Sequence, residues 1–352
     1  EQTFILGKPV EDFEKAIATF CGVKHAIGVS SGTDAIQLAL MVAGITQGDE
    51  VITTPFTFIA TAEPIALLGA KPVFVDIDPR TFNIDPEKIE EKITKRTKAI
   101  IVVHLYGQAA AMRPILAIAR KHNLTVIEDA CQAIGAVDGT TKKQAGAIGA
   151  IGCFSFFPSK NLGGFGDGGL VTTDNEASAE LIAKLRVHGS AQRYYHDEIG
   201  INARLDALQA VVLKVKLKYL AGWLKARRVK AEKYNELIDN KGLKDIIATP
   251  FVAPGNVHTY HQYTLTLLGK KASSKLRDDL CEHLRKNGIG SMVYYPVPLH
   301  IQKCFTYLGY KKGDYPISET CAQHVFSLPI FPELTDDEQT YIIDRIAGFL
   351  KA

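Results

Sequence analysis

The sequence predicts a doubly wound α/β domain followed by a smaller α+β domain, because the texture of the chain changes once along its length. Through the first two-thirds, short apolar runs alternate with longer amphipathic ones, the rhythm of strands and helices taking turns. Runs such as Ala99-Ile-Ile-Val-Val103 leave no polar face, which suits a mostly parallel sheet covered by helices on both sides. Near residue 205 the alternation stops and a long helical pattern begins.

Strands are expected at 25–29, 50–53, 71–75, 99–104, 124–128, 151–156 and 169–173, each a short apolar stretch bounded by turn formers or charge. Helices are expected between them at 34–43, 59–68, 85–93 and 112–122, where apolar residues recur at helical spacing. Beyond the change of texture, 204–238 reads as one helix whose basic stretch Lys225-Ala-Arg-Arg-Val-Lys230 is a solvated face. The segment 260–268 alternates like a half-exposed strand, 274–287 is a helix and 291–295 a further strand. The last helix, 335–350, opens on Thr335-Asp-Asp-Glu338, a capping box. These elements divide the chain into a large domain, residues 1–220, and a small one, residues 221–352.

Composition sets the outer limits. The 352 residues carry 41 Lys+Arg against 38 Asp+Glu, a formal net charge of +3, with 46 % hydrophobic and 22 % charged residues. That is the make-up of a folded globular protein and excludes disordered and collagen-like classes. At about 150 residues per domain the length fits two domains. The near-neutral balance gives no concentrated basic surface, so no nucleic-acid partner is expected. No membrane partner is expected either: the longest uncharged run, 144–159, holds Gly, Ser and Pro and is too short to cross a bilayer. The opening Glu1-Gln-Thr-Phe-Ile-Leu-Gly7 lacks the charged and apolar regions of a leader, so a cytoplasmic location is expected. Cys304 and Cys321 are the nearest pair among six cysteines, which leaves no CxxC motif. The histidines show no metal-ligand spacing, and no metal is expected.

Candidate chemistry sits at strand ends. Ser30-Ser-Gly-Thr-Asp34 follows an apolar strand and opens a helix, so the backbone N–H groups of Gly32 and Thr33 could receive a phosphate; an ordinary N-cap turn explains the same residues. Asp129 closes a strand at the sheet edge where open α/β sheets bind ligands, although Asp129-Ala-Cys-Gln132 also fits a capping box. In Gly152-Cys-Phe-Ser-Phe-Phe-Pro-Ser-Lys160, a lysine follows an apolar strand and a Pro-Ser turn. Apolar surroundings favour the neutral amine that a Schiff base needs. Gly164-Phe-Gly-Asp-Gly-Gly169 fits GxGxxG, but a strand follows where the dinucleotide fingerprint requires a helix. A close backbone approach or a sharp turn accounts for it better. Tyr194-Tyr195 and Tyr294-Tyr295 could stack on a base or simply pack.

Taken together, the chain resembles the DegT/StrS family of sugar aminotransferases, which use pyridoxal 5′-phosphate (PLP) on the type I aminotransferase fold. The matching blocks run from Gly22-Val-Lys-His-Ala-Ile-Gly-Val-Ser-Ser-Gly-Thr-Asp-Ala35 and Thr57-Phe-Ile-Ala-Thr61 through His104-Leu-Tyr-Gly-Gln108 and Glu128-Asp-Ala-Cys-Gln-Ala133. They continue with Ser155-Phe-Phe-Pro-Ser-Lys-Asn-Leu-Gly163, Gly166-Asp-Gly-Gly169, Ile199-Gly-Ile-Asn-Ala-Arg-Leu-Asp206 and Tyr294-Tyr-Pro-Val-Pro-Leu-His300. The resemblance implies a large domain with a mostly parallel sheet flanked by helices, plus a smaller C-terminal α+β domain. It implies Lys160 as the Schiff-base lysine and proton carrier, Asp129 as partner of the pyridine nitrogen, Gln132 at the ring hydroxyl and Phe58 stacked on the ring. Gly32, Thr33 and Ser155 would cradle the phosphate, joined by Asn202 from the other subunit of a homodimer. Arg204 and Tyr295, with Arg193, His196 and Tyr294, would meet the sugar nucleotide; Tyr294 stands where many members carry His. Cys131 and Ala203 also differ from commoner choices, at positions expected to carry no chemistry.

The implied reaction moves an amino group from L-glutamate, by way of pyridoxamine phosphate, to a keto-sugar nucleotide, with a 3-keto hexose on dTDP or UDP favoured over a 4-keto one. Amino-sugar biosynthesis, for a surface polysaccharide or a glycosylated metabolite, would be its setting. The dehydratase branch of the family replaces the Schiff-base lysine by His, and Lys160 argues against it. A non-catalytic sugar-nucleotide-binding or regulatory protein of the same fold would be expected to lack Lys160 or Asp129. An NAD-dependent oxidoreductase lacks its fingerprint here.

Overall fold

A computed structural model describes residues 4–351; residues 1–3, part of the opening segment, and residue 352 lie outside it. The chain opens with helix α1 (Lys8–Cys21), then β1 (His25–Val29), α2 (Gly32–Val42), β2 (Glu50–Thr53), α3 (Glu63–Leu67) and β3 (Lys71–Phe74). There follow β4 (Thr97–Val103), α4 (Met112–His122), β5 (Thr125–Asp129), β6 (Ile151–Ser155), β7 (Gly169–Thr173) and α5 (Glu176–Leu185). The order of strands in the sheet is β1-β7-β6-β5-β4-β2-β3. β7 runs antiparallel to both β1 and β6, and the β2–β3, β2–β4, β4–β5 and β5–β6 pairs are parallel.

Alternation along each strand feeds two cores. β6 sends Phe154 to a cluster with Phe13 and Ile17 of α1, and Cys153 to the opposite cluster with Ile36, Leu38 and Leu40 of α2. With both faces covered, the strands carry no solvated side, which is why they read as apolar throughout.

The long helix α6 (Ala207–Asn240) joins the two parts of the molecule. Ala210, Leu213, Leu220 and Leu224 pack into the sheet core, whereas Ala231, Tyr234 and Ile238 belong to the second core. The position 220/221, expected to separate the domains, falls inside this helix. That second core is built with β8 (Ile247–Ala248), β9 (Tyr263–Leu267), α7 (Ser274–Lys286), β10 (Val325–Leu328) and α9 (Asp336–Leu350), whereas α8 (Pro316–His324) sends Cys321 and Ala322 to a separate cluster with Phe56 and Tyr106. α9 starts on the expected capping box: Glu338 N–H donates to Thr335 Oγ1 and Thr335 N–H to Glu338 Oε2.

Three expected elements differ. The segment 291–295 is not a strand; Met292 makes one bridge to Ser327, and Pro296 and Pro298 follow, which cannot donate to a ladder. The helix expected at 85–93 is two 3-10 turns, Pro86–Lys88 and Glu90–Lys92. That at 59–68 is a 3-10 turn, Ile59–Thr61, followed by α3, with Pro64 in the first turn where its missing N–H is tolerated.

Candidate active site

The carboxyl ends of the parallel strands open onto a cavity of about 450 Å³. Its wall gathers Gly32, Thr33, Phe58, Asp129, Gln132, Ser155, Lys160, Tyr294 and Tyr295, nine of the residues singled out in the sequence. At one end stands the N-terminus of α2. Ser31 caps it, its Oγ accepting from Asp34 N–H at 3.1 Å, and Ala35 N–H is taken by Ser31 O. The N–H groups of Gly32 and Thr33 remain as the donors of the open end, so the N-cap and the anion-binding readings hold together. The approach is tight: a Cβ on Gly32 would lie 2.8 Å from both Cys131 Sγ and Ser155 Cβ.

Asp129, at the end of β5, is buried and oriented from both sides. Thr61 Oγ1 donates to its Oδ2 at 2.7 Å and Cys131 N–H to its Oδ1 at 3.2 Å. Asp129-Ala-Cys-Gln132 does not cap a helix. Gln132 instead accepts from Tyr106 N–H at 2.8 Å through Oε1, and its Nε2 donates to Tyr295 Oη at 3.0 Å. With that lone pair engaged, the Tyr295 proton is free to face the cavity. Burial raises the Tyr295 phenol above its usual range, so it stays a neutral donor. The Phe58 ring is half exposed at the mouth, 6.2 Å from the Tyr295 ring.

Lys160 follows β6 in a turn closed by its own N–H to Phe157 O at 2.8 Å. Desolvation lowers its amine below the usual lysine range, opposed by the neighbouring Cys131 and Asp129. It makes no ion pair among the described residues within 4.0 Å. Burial pushes the Cys131 thiol well above its usual range, so at neutral pH it packs as a thiol.

Asn202, Arg204, Arg193 and His196 do not line this cavity. They occupy the connection between α5 and α6, where Arg204 Nε donates to Asn202 Oδ1 at 3.0 Å and His196 Nδ1 to His188 O at 2.8 Å. The Arg193 guanidinium lies 4.9 Å from the centre of the Tyr194 ring.

Other residues of the wall were given no role from the sequence. Thr61 and Asp167 lay within quoted blocks without a role, Cys131 was set aside, and His261 was not considered for the site. His261 comes from the far side of the chain, and no local pattern announces such an approach.

The residues fit PLP. The glycine-lined helix end suits a phosphate, the buried carboxylate suits a protonated ring nitrogen, and a desolvated amine lies between them. Gly32, Thr33 and Ser155 would hold the phosphate, with Asp129 and Gln132 at the ring and Phe58 against its face.

The description "DegT/DnrJ/EryC1/StrS aminotransferase family" matches residues 1–347. A "pleiotropic regulatory protein" of Geobacillus stearothermophilus is 49 % identical over 348 residues, covering 99 % of this chain and 91 % of that protein. UDP-N-acetyl-3-dehydro-alpha-D-glucosamine 3-aminotransferase of Acidithiobacillus ferrooxidans is 45 % identical over 352 residues, covering 100 % of this chain and 90 % of that one. Among solved structures, NtdA of Bacillus subtilis with its cofactor pyridoxamine phosphate superposes with a TM-score of 0.89 at 34 % identity, covering 99 % of this chain and 79 % of that one. The fold is therefore the type I aminotransferase fold, PLP and its aminated form are the cofactor, and the chain belongs to the DegT/DnrJ/EryC1/StrS aminotransferase family.

Proposed function

We propose that this chain transfers an amino group from L-glutamate to the ketone of a hexose carried on UDP or dTDP, a 3-keto sugar in preference to a 4-keto one. The observation that carries the reading is the convergence of Lys160 and Asp129 on one cavity beside the open end of α2. The 3-keto UDP-sugar in the name of the Acidithiobacillus relative supports the choice of acceptor. Amino-sugar biosynthesis, for a surface polysaccharide or a glycosylated metabolite, is the setting we assign, in the cytoplasm. Among the described residues no helix is long and apolar enough to cross a membrane.

PLP, when bound, supplies an electron sink for the charge left when a bond to the reacting carbon is broken. The chain does the rest. Lys160 Nζ, kept below the ordinary lysine range by burial, takes the proton from the donor's α-carbon and carries it as general acid and base. The Asp129 carboxylate, held by Thr61 and Cys131, keeps the ring nitrogen protonated. The Tyr295 hydroxyl offers a donor to the substrate on the Phe58 side.

A second copy of the chain completes the site in this reading. Asn202 and Arg204, with Arg193 and His196, would reach the neighbouring cavity to meet the phosphate and the sugar nucleotide. An apolar stripe on α6 supports it: Leu208, Val211, Val215 and Tyr219 recur at helical spacing and are all exposed in the single chain.

The test is direct. Purified protein should be yellow and lose that band on addition of L-glutamate; colourless protein that takes up no PLP would overturn the reading. A protein of this fold that only binds the cofactor would keep the band. A panel of UDP- and dTDP-linked 3-keto and 4-keto sugars, with the aminated carbon fixed by NMR of the product, identifies the acceptor.

A further inference from the structure

His261 lines the same cavity as Lys160 and is only 8 % exposed. Its Nδ1 is buried and has no hydrogen-bond partner. A buried polar nitrogen without a partner is costly, so the arrangement calls for a donor that reaches it during turnover. The backbone that carries the ring is held by four hydrogen bonds. Thr259 N–H donates to Gly107 O at 2.9 Å and Gln262 N–H to Tyr106 O at 3.3 Å. Asn161 Nδ2 donates to Thr259 O at 3.2 Å, and Arg227 Nη1 to Tyr260 O at 3.0 Å.

Two of the side-chain donors nearby are committed. The Thr61 hydroxyl serves Asp129, and the Gln132 amide is spanned between Tyr106 and Tyr295. The Lys160 amine has no such partner, sits on a flexible four-carbon stem, and must be parked somewhere each time it leaves the cofactor.

We propose that His261 is the positioning residue for Lys160, its Nδ1 accepting an N–H of the ε-amine when that amine is released from the cofactor during turnover. Burial, reinforced by the charges of Lys160 and Arg227, keeps the imidazole neutral and so able to accept. The hold shortens the search of a long side chain for the reacting carbon, which is where orientation contributes to rate.

The inference rests on the reading of Lys160 as the catalytic amine, yet its first test does not need turnover. In full-length protein loaded with pyridoxamine phosphate, which leaves the Lys160 amine unbonded to the cofactor, and labelled with 15N-histidine, the Nδ1 resonance of His261 should be of the acceptor (pyridine) type and should shift in Lys160→Ala. A donor-type Nδ1, or a resonance unmoved by K160A, overturns the proposal even if the enzyme proves to be an aminotransferase. The second test is kinetic. His261→Phe should lower kcat of the glutamate half-reaction on the order of tenfold to a hundredfold with KM unchanged. His261→Asn, which restores an acceptor, should recover part of the loss. Equal kcat in H261F and the unsubstituted enzyme overturns it. Should H261F fail to fold, the resonance comparison alone decides, since it leaves His261 in place.

Discussion

Gly169→Ala is the sharpest perturbation of the phosphate cradle that leaves every side chain of the cavity in place. Gly169 opens β7 and pairs with Val29 of β1 and Ser155 of β6, so its backbone is held from both sides. A Cβ there would lie 2.2 Å from Ser31 O, 2.3 Å from Ser31 C and 2.9 Å from Gly32 N, all backbone atoms. Ordinary contact is about 3.4 Å, so the start of α2 must retreat by roughly 1 Å, because β7 cannot. Overpacking of this kind costs about 1–3 kcal/mol, which a chain of this size survives. The larger effect falls on function. A displacement of about 1 Å at a positioning group costs on the order of a hundredfold, so PLP affinity should fall by about that factor. Cofactor retention after dialysis, followed by absorbance and by equilibrium titration with PLP, measures it; thermal melting of the cofactor-free protein reports the stability term. If G169A folds and binds PLP as tightly as the parent, the argument that this glycine sets the position of the cradle is wrong.

Other consequences are open to measurement. Lys160→Ala should leave the melting temperature of the cofactor-free protein nearly unchanged and abolish amino transfer; retained turnover would assign the chemistry to another lysine. Thr61→Val removes the hydroxyl donor from buried Asp129 and should lower kcat roughly tenfold while costing about 1–3 kcal/mol in urea denaturation. Val215→Lys places a charge in the exposed stripe of α6 and, under the proposed pairing of two copies there, should shift sedimentation towards monomer, with loss of activity in step. Buried His258 accepts Tyr260 N–H on Nδ1 at 2.9 Å, and desolvation holds its pKa at about 3 instead of 6.5. The unfolded chain therefore binds the proton first: the contribution of His258 is complete above about pH 6.5 and is lost as pH falls towards 3, on the order of 5 kcal/mol in all. His258→Asn, which keeps an acceptor without a titrating group, should flatten that acid limb in urea titrations between pH 7 and 4.

Much of the fold was legible because the strands are buried on both faces. Val29, Ile52, Ile101, Ile127 and Val171 are fully enclosed, and a strand of that kind writes its position as an unbroken apolar run. Elements that depend on distant partners left weaker marks. β10 is a short segment, Val325–Leu328, whose strand character comes from pairing with β9, far earlier in the chain. The segment 291–295 carries strand-forming residues but meets Ser327 at one residue only, so propensity lost to tertiary pairing. α1 has an amphipathic face, with Val10, Phe13 and Ile17 buried, yet it opens on Gly7, whose lack of a side chain gives none of the N-cap signal that marks a helix start.

The site divides by the same logic. Gly32, Asp129 and Lys160 could be singled out because each follows or closes a strand, where the order of the sheet fixes what faces the cavity, whereas Ser155 was named only through the family resemblance. Residues that converge through side chains could not be found that way. Nothing in the sequence says that Gln132 is turned by Tyr106 N–H so that its amide meets Tyr295, since this needs the loops after β4 and β5 and the segment before Pro296 brought together. The glycine motif 164–169 is the instructive middle case. Its spacing imitates a dinucleotide fingerprint, but the last glycine serves a different contact: it lets β7 pass within reach of the Ser31–Gly32 backbone, and so fixes the very helix end that offers its N–H groups to an anion. A motif defined by the absence of side chains records only that something comes close. What comes close is decided by the fold, and here it is the chain's own backbone at the start of α2.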